Sequence, residues 1–502
     1  MSADAKNGGS GAAGEQARLD LRRRAIRSTR WLLTFRLGSQ LLSWAVAIII
    51  ARFLTPADYG LFAMALTVVA AIGLLREFGL GAAIIQRQDL TAEHLNTIFW
   101  IVALTGIALL VLLWAGAEMA AAFYAEPRLV WILRILGLTI LLNVIGFVPY
   151  SLLTKDIDFF RRSVAAMVGA VSSSVIALSL AYLGYGVWAL IVGQLVNAAI
   201  FNAALLVAAR WLPGLRLSFR NIGEILTFGM RLAAVSTINL YSQILNRVLV
   251  GRFLGGPALG LYTMAETLGE APHKISSAVI HQMSLPIFAK LQREDGELRK
   301  YFLKITKYLA LATLPAQIGM ALVAYDLIAV VLTAQWIPMV PLFQIFCVGS
   351  VFHILSLPAY PLLVARGRAG TLLKFNAAAA VVTAAAILLG SQIDLLAVGA
   401  AWLGAFAILK IVLLSLALRE LGMRARTYLN GIVASLVATI AMSVTVLLTR
   451  YMDAPVSGSV HRLALEVLVG ALVYAGILML VDRKLVPEVR GILQDMFISS
   501  RA

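Results

Sequence analysis

From Ser163 to Ala209 the chain carries no Asp, Glu, Lys or Arg. A water-soluble domain keeps charged groups on its outside, and a run of this length cannot stay in a core throughout. It is also too long for one membrane crossing, which takes roughly 20 apolar residues. Gly184-Tyr185-Gly186 interrupts it, and glycine is the residue that lets a chain turn tightly. The run therefore predicts two crossings, at 164–183 and 187–209, joined by a tight turn. The rest of the chain agrees, with 61% hydrophobic and 13% charged residues. A soluble domain is about a quarter charged, so a soluble enzyme, a disordered chain and a fibrous protein are excluded.

The same reading applied throughout predicts an all-α integral membrane protein of about 14 crossings. The second is expected at 59–84, the seventh at 225–250, the eighth at 259–286 and the ninth at 304–325. Residues 1–30 read as a disordered basic cytoplasmic tail, 31–210 as six crossings, 211–420 as six more, and 421–502 as two extra helices and a tail. The net charge of +17 needs no nucleic acid. Alternate loops hold Lys155, Arg161, Arg162, Arg216, Lys290, Arg293, Arg366, Arg368 and Arg424, whereas the opposite loops hold only Arg52, Arg128, Arg252, Arg450 and Arg462. Basic loops stay on the cytoplasmic side, so both termini are expected there. A single cysteine, Cys347, excludes a disulfide within the chain. There is no phosphate-binding G-x-x-x-x-G-K-[ST] loop and no H-E-x-x-H, so no cofactor and no soluble-type catalytic centre are expected.

One segment recurs. Arg52-Phe53-Leu54, Gly60-Leu61, Met64-Ala65 and Thr67 reappear as Arg252-Phe253-Leu254, Gly260-Leu261, Met264-Ala265 and Thr267, at a constant offset of 200 residues. Six crossings separate the copies, an even number, so both point the same way. This predicts two six-helix lobes related by a parallel repeat, with a cleft between them, as in alternating-access transporters.

Several stretches carry a family resemblance. Ala51-Arg-Phe-Leu-Thr-Pro-Ala-Asp-Tyr-Gly60, Gly79-Leu-Gly-Ala-Ala-Ile-Ile-Gln86, Phe123-Tyr-Ala-Glu-Pro127, Gly184-Tyr-Gly-Val-Trp-Ala-Leu190, Val250-Gly-Arg-Phe-Leu-Gly255, Leu259-Gly-Leu-Tyr-Thr-Met-Ala265 and Pro272-His-Lys-Ile275 resemble bacterial polysaccharide flippases of the Wzx type. These form one branch of the multidrug/oligosaccharidyl-lipid/polysaccharide exporter superfamily. The resemblance implies a bacterial inner-membrane transporter, not an enzyme. Its cargo would be an oligosaccharide repeat unit on undecaprenyl pyrophosphate, destined for exopolysaccharide, capsule or O-antigen. It also implies a pathway polymerase and chain-length regulator as partners. A multidrug/ion antiporter and a membrane polymerase or ligase are the competing readings. The short loops speak against an enzyme, and the intramembrane cations speak against a cationic drug as cargo.

Ionisable residues within crossings are expensive and mark function. In the eighth crossing Glu266, Glu270, His273, Lys274, Ser277 and His281 fall on one face at 100° per residue, beside Pro272. Glu266, Glu270, His273 and His281, with Arg76 and Glu77 of the second crossing, are candidates for ion coupling or gating. Arg36, Arg231, Asn239, Gln243, Asn246, Arg247 and Lys274 are candidates for cargo binding, because amides suit sugar hydroxyls and cations suit pyrophosphate. The competing structural account is a self-neutralising Glu270–Lys274 pair and amides that bond helix to helix.

Overall fold

The computed structural model describes residues 44–73, 76, 79–87, 89–218, 222–452 and 460–481, and every regular element among them is helical. The N-terminal tail, the start of the first crossing, the 453–459 loop and the C-terminal tail lie outside the described residues. The chain divides into two compact units, one ending at Ile244 and one starting at Leu245.

The first unit opens with α1 (Trp44–Phe53). It continues with α2 (Pro56–Gly73), α3 (Leu80–Gln86), α4 (Ala92–Tyr124), α5 (Leu129–Leu136), α6 (Leu138–Lys155), α7 (Phe159–Tyr182) and α8 (Val187–Ala209). The long α9 (Ile222–Gly269) carries the chain into the second unit. There follow α10 (Ala271–Leu291), α11 (Asp295–Leu322), α12 (Ala324–Val331), α13 (Val340–Ser356), α14 (Ala359–Ala365), α15 (Ala369–Gly390), α16 (Leu395–Glu420), α17 (Ala425–Met452) and α18 (Val460–Val481). Among the described residues 11 helical segments are long and apolar enough to cross a membrane, and α11 with α12, bent by 75°, makes a twelfth if counted as one span. Helices dominate because hydrocarbon offers backbone groups no other partner.

The turn at 184–186 forms as expected. Gly184 and Gly186 take φ of 81° and 54°, and Tyr185 N donates to Leu180 O at 3.1 Å to close α7. Small residues then let helices touch. A Cβ on Gly146 of α6 would collide with Asn202 Oδ1 of α8, and Asn202 Nδ2 donates to Asn143 Oδ1 at 3.1 Å. The segment after α8 is strapped onto the start of α4. Gly214 N donates to Asn96 Oδ1 at 2.9 Å, Ser218 N to Thr97 Oγ1 at 2.8 Å, and Trp100 Nε1 to Gly214 O at 3.0 Å.

Two crossings are divided, the second, expected to be continuous, and the eighth, expected to break at Pro272 in mid-span. The second is interrupted after Gly73 and resumes at Leu80, behind Gly79 with φ 69°. The eighth parts at Glu270, and Pro272 falls in the first turn of α10, where its missing N–H takes nothing from the helix. The ninth starts earlier than 304, because the charged segment from Asp295 is already helical.

The repeated segment folds alike in each unit. α1 ends at Phe53 and α2 begins at Pro56, with Asp58 Oδ2 accepting from Thr55 N at 3.1 Å. In the second copy the break falls at the matching position, Gly255, with φ 81° and ψ −178°, a conformation open to glycine alone. Burial matches as well. Phe53 and Phe253 are 50% and 47% exposed, while Met64 and Met264 are 1% and 4% exposed.

Candidate functional site

Arg247 and Glu266 are 19 residues apart in sequence, which on a straight helix would be about 28 Å. Their Nη2 and Oε2 atoms are 2.8 Å apart. The turn at Gly255 therefore folds α9 back on itself and brings a cation and a carboxylate together inside the apolar region. One turn beyond Glu266, Glu270 Oε2 lies 3.3 Å from Lys274 Nζ. Asn246, next to Arg247 in the chain, has a buried Oδ1 with no hydrogen bond among the described residues.

The same polar face of α10 also meets α13. His273 is buried, and its Nδ1 lies 3.0 Å from Ser350 Oγ. Ser277 Oγ lies 3.4 Å from His353 Nε2, and the imidazoles of His273 and His353 are 4.6 Å apart between centroids. From His353 an aromatic column continues into α16. Phe406 is stacked on His353 at 6.2 Å and on Trp402 at 4.6 Å, and Lys410 Nζ lies 4.8 Å from the Phe406 ring centre. The stripe anticipated on the eighth crossing is thus two sets. Glu266, Glu270 and Lys274 form ion pairs, whereas His273 and Ser277 bond to α13.

In the first unit Arg76 is buried at the break between α2 and α3, where its Nη1 donates to Ile140 O at 3.2 Å. Arg36 and Glu77 lie outside the described residues, as do the side chains of Arg231, Asn239, Gln243 and His281. No group of three or more His, Cys, Asp or Glu that would hold a metal occurs among the described residues.

A chain of two helical units with charges paired inside its crossings invites comparison with known transporters. The family model for polysaccharide biosynthesis proteins matches residues 49–341, more than half the sequence. The chain belongs to this family, the Wzx-type polysaccharide branch of its superfamily. It is 30% identical to the teichuronic acid biosynthesis protein TuaB of Bacillus subtilis (strain 168), over 60% of this chain but only 63% of TuaB. It is 24% identical to the lipopolysaccharide biosynthesis protein WzxC of Escherichia coli (strain K12), over 74% of this chain and 76% of WzxC. It is 23% identical to the succinoglycan biosynthesis transport protein ExoT of Rhizobium meliloti (strain 1021), over 91% of this chain and 93% of ExoT. Among solved structures, the lipid II flippase MurJ in its inward closed conformation matches with a TM-score of 0.71 at 12% identity, over 91% of this chain and 99% of MurJ. An inward-facing multidrug resistance MATE transporter matches with a TM-score of 0.59 at 17% identity, over 78% of this chain and 98% of that one. These likenesses establish the fold. This family member is a multi-pass membrane protein of polysaccharide biosynthesis, and ExoT among its relatives is a transport protein.

Three residues of the cluster escaped the sequence reading: Ser350, His353 and Lys410. Lys410 and His353 each sit inside an apolar run, so the rule that picked out Glu270 also applied to them. Lys410 has no polar residue at helical spacing, and His353 has only the serines Ser350 and Ser356, three residues to either side. Ser350 carries no such signal, because a serine hydroxyl within a helix can bond to a carbonyl one turn back and so needs no partner elsewhere.

Proposed function

We infer that this protein is a flippase that carries undecaprenyl-pyrophosphate-linked oligosaccharide repeat units across the bacterial inner membrane by alternating access. It works through 14 crossings and two six-helix lobes with two additional helices, and both termini are cytoplasmic. The observation that carries the reading is the charged cluster of Arg247, Glu266, Glu270 and Lys274, held in ion pairs within membrane helices of a polysaccharide-family chain. A pyrophosphate crossing a low-dielectric region needs fixed cations along its way. Paired cations supply that field without leaving bare charges in the empty protein.

Deletion of the gene should make lipid-linked repeat units accumulate in the inner leaflet while surface polymer falls to background. Unchanged surface polymer in a strain without a second flippase refutes the reading. The topology has its own test. Cysteine placed at Pro127 should react with an impermeant maleimide in intact cells, and cysteine at Gln292 should react only after permeabilisation. Labelling of Gln292→Cys in intact cells overturns the orientation.

A further inference from the structure

Among the described residues of the second unit, three interruptions of the helical ladder end on donors from the same two helices. Pro315 lies inside α11 and has no N–H to give to Leu311 O, one turn back. That carbonyl accepts from Tyr474 Oη of α18 at 2.8 Å. α11 stops at Leu322, where the last carbonyls of a helix have no partner within it, and the chain bends by 75° into α12. Leu322 O accepts from Arg450 Nη1 of α17 at 3.0 Å. α13 stops at Ser356, and Leu355 O accepts from Tyr428 Oη of α17 at 2.6 Å. Hydrocarbon has no water to offer such groups, so neighbouring side chains supply the donors. α17 and α18, the two additional helices of the reading above, thus complete bonds that α11 and α13 cannot complete themselves.

The three contacts are not alike. Those at Leu322 and Leu355 cap helix ends. The one at Leu311 lies within a helix, and its loss leaves a gap in the ladder of α11 with nothing to span it. The Tyr474 ring is held in place for this contact. With Ile318 and Leu322 of α11 it packs against the buried cluster of Val323, Met442 and Val446. A second observation marks the same turn. Gln317, two residues past Pro315, is fully buried, and neither end of its amide has a hydrogen bond among the described residues. A buried amide left in that state costs free energy. The turn around Pro315 therefore lacks one backbone bond of its own and carries an unsatisfied amide, and it is where α11 yields first.

We propose that Pro315 is a hinge in α11 and that the Tyr474 hydroxyl is the latch that holds it shut, so that α18 controls the shape of α11. The hinge's part in transport rests on the flippase reading above; the latch itself does not.

The test follows amide hydrogen exchange by mass spectrometry on the purified full-length protein in a nonionic detergent. Tyr474→Phe, which removes only the hydroxyl, should speed exchange in residues 311–322 about fivefold, the factor that one neutral hydrogen bond gives. Tyr428→Phe should leave that segment as slow as in wild type, because it releases a different helix end. Pro315→Ala returns an N–H to Leu311 O, so adding Tyr474→Phe to it should change nothing further. Where Tyr474→Phe alone fails to accumulate, the double variant should restore its abundance, and failure to do so overturns the latch. In cells, Pro315→Ala should lose surface polymer at normal membrane abundance. Unchanged exchange in Tyr474→Phe overturns the latch. So does an equal rise in the Pro315→Ala background, since the hydroxyl would then act elsewhere than on Leu311 O, and so does an equal rise with Tyr428→Phe, which would mean general loosening. Full surface polymer from Pro315→Ala overturns the hinge and leaves the flippase reading intact, because the gene deletion decides that reading.

Discussion

Arg462→Ala is expected to remove most of the protein from the membrane. Asp326 of α12 is fully buried and Glu466 of α18 is 2% exposed. Arg462 Nε lies 3.2 Å from Glu466 Oε1 and 4.0 Å from Asp326 Oδ2. Its Nη2 also donates to Arg450 O at 3.4 Å, while Arg450 Nη1 donates to Leu322 O at 3.0 Å. One guanidinium thus ties α12, α17 and α18 together. Breaking a buried pair by removing one partner costs about 3–5 kcal/mol, because a charge remains without compensation. Against a total stability of about 5–15 kcal/mol that is decisive. Membrane abundance should fall at least about tenfold, the factor that every 1.4 kcal/mol brings. The triple change Arg462→Met, Asp326→Asn and Glu466→Gln should restore abundance, since no charge is then stranded. Normal abundance and an unchanged melting temperature for Arg462→Ala refute this account.

That triad also shows where the sequence stopped being legible. Arg450 and Arg462 read as loop charges because they flank a polar stretch. Both are inside helices, Arg450 in the last turns of α17 and Arg462 at the start of α18. Charge bias reports the side of the membrane, and an arginine one turn inside a helix end counts the same as one in a loop. The crossings, the turn at 184–186 and the repeat were legible, since apolar length and glycine position are local signals. The fold-back that joins Arg247 to Glu266 was half legible. The repeat placed a break near Gly255, but nothing local indicated which charges would meet across it. The Glu270–Lys274 pair was legible because i,i+4 spacing alone brings such groups together. The bonds of His273 to Ser350 and of Ser277 to His353 were not, because they depend on which face α10 turns to α13, and a face polar all along gives no answer to that.

Lys274→Ala is expected to cut surface polysaccharide at least about tenfold, the loss of one charge-assisted contact to the cargo, at normal membrane abundance. Lys274 is 51% exposed on its side chain and Glu270 is 19% exposed, so the pair lies at a surface of its unit, unlike the enclosed Arg462 triad. A pair that serves only to neutralise itself can be exchanged as a unit at little cost, because neither charge is left alone. The double variant Glu270→Gln with Lys274→Gln makes that exchange and keeps the size of both side chains nearly unchanged. If the pair is only structural, the single change impairs the protein and the double change repairs it. If Lys274 meets an anionic cargo, the double change leaves folding intact and does not restore transport, since the charge that the cargo needs is still missing. The two outcomes separate when abundance and polymer are measured in the same cells. We expect abundance near wild type for both variants, and polymer that stays low in the double variant. Full polymer from a normally abundant double variant would show that Lys274 does no more than balance Glu270.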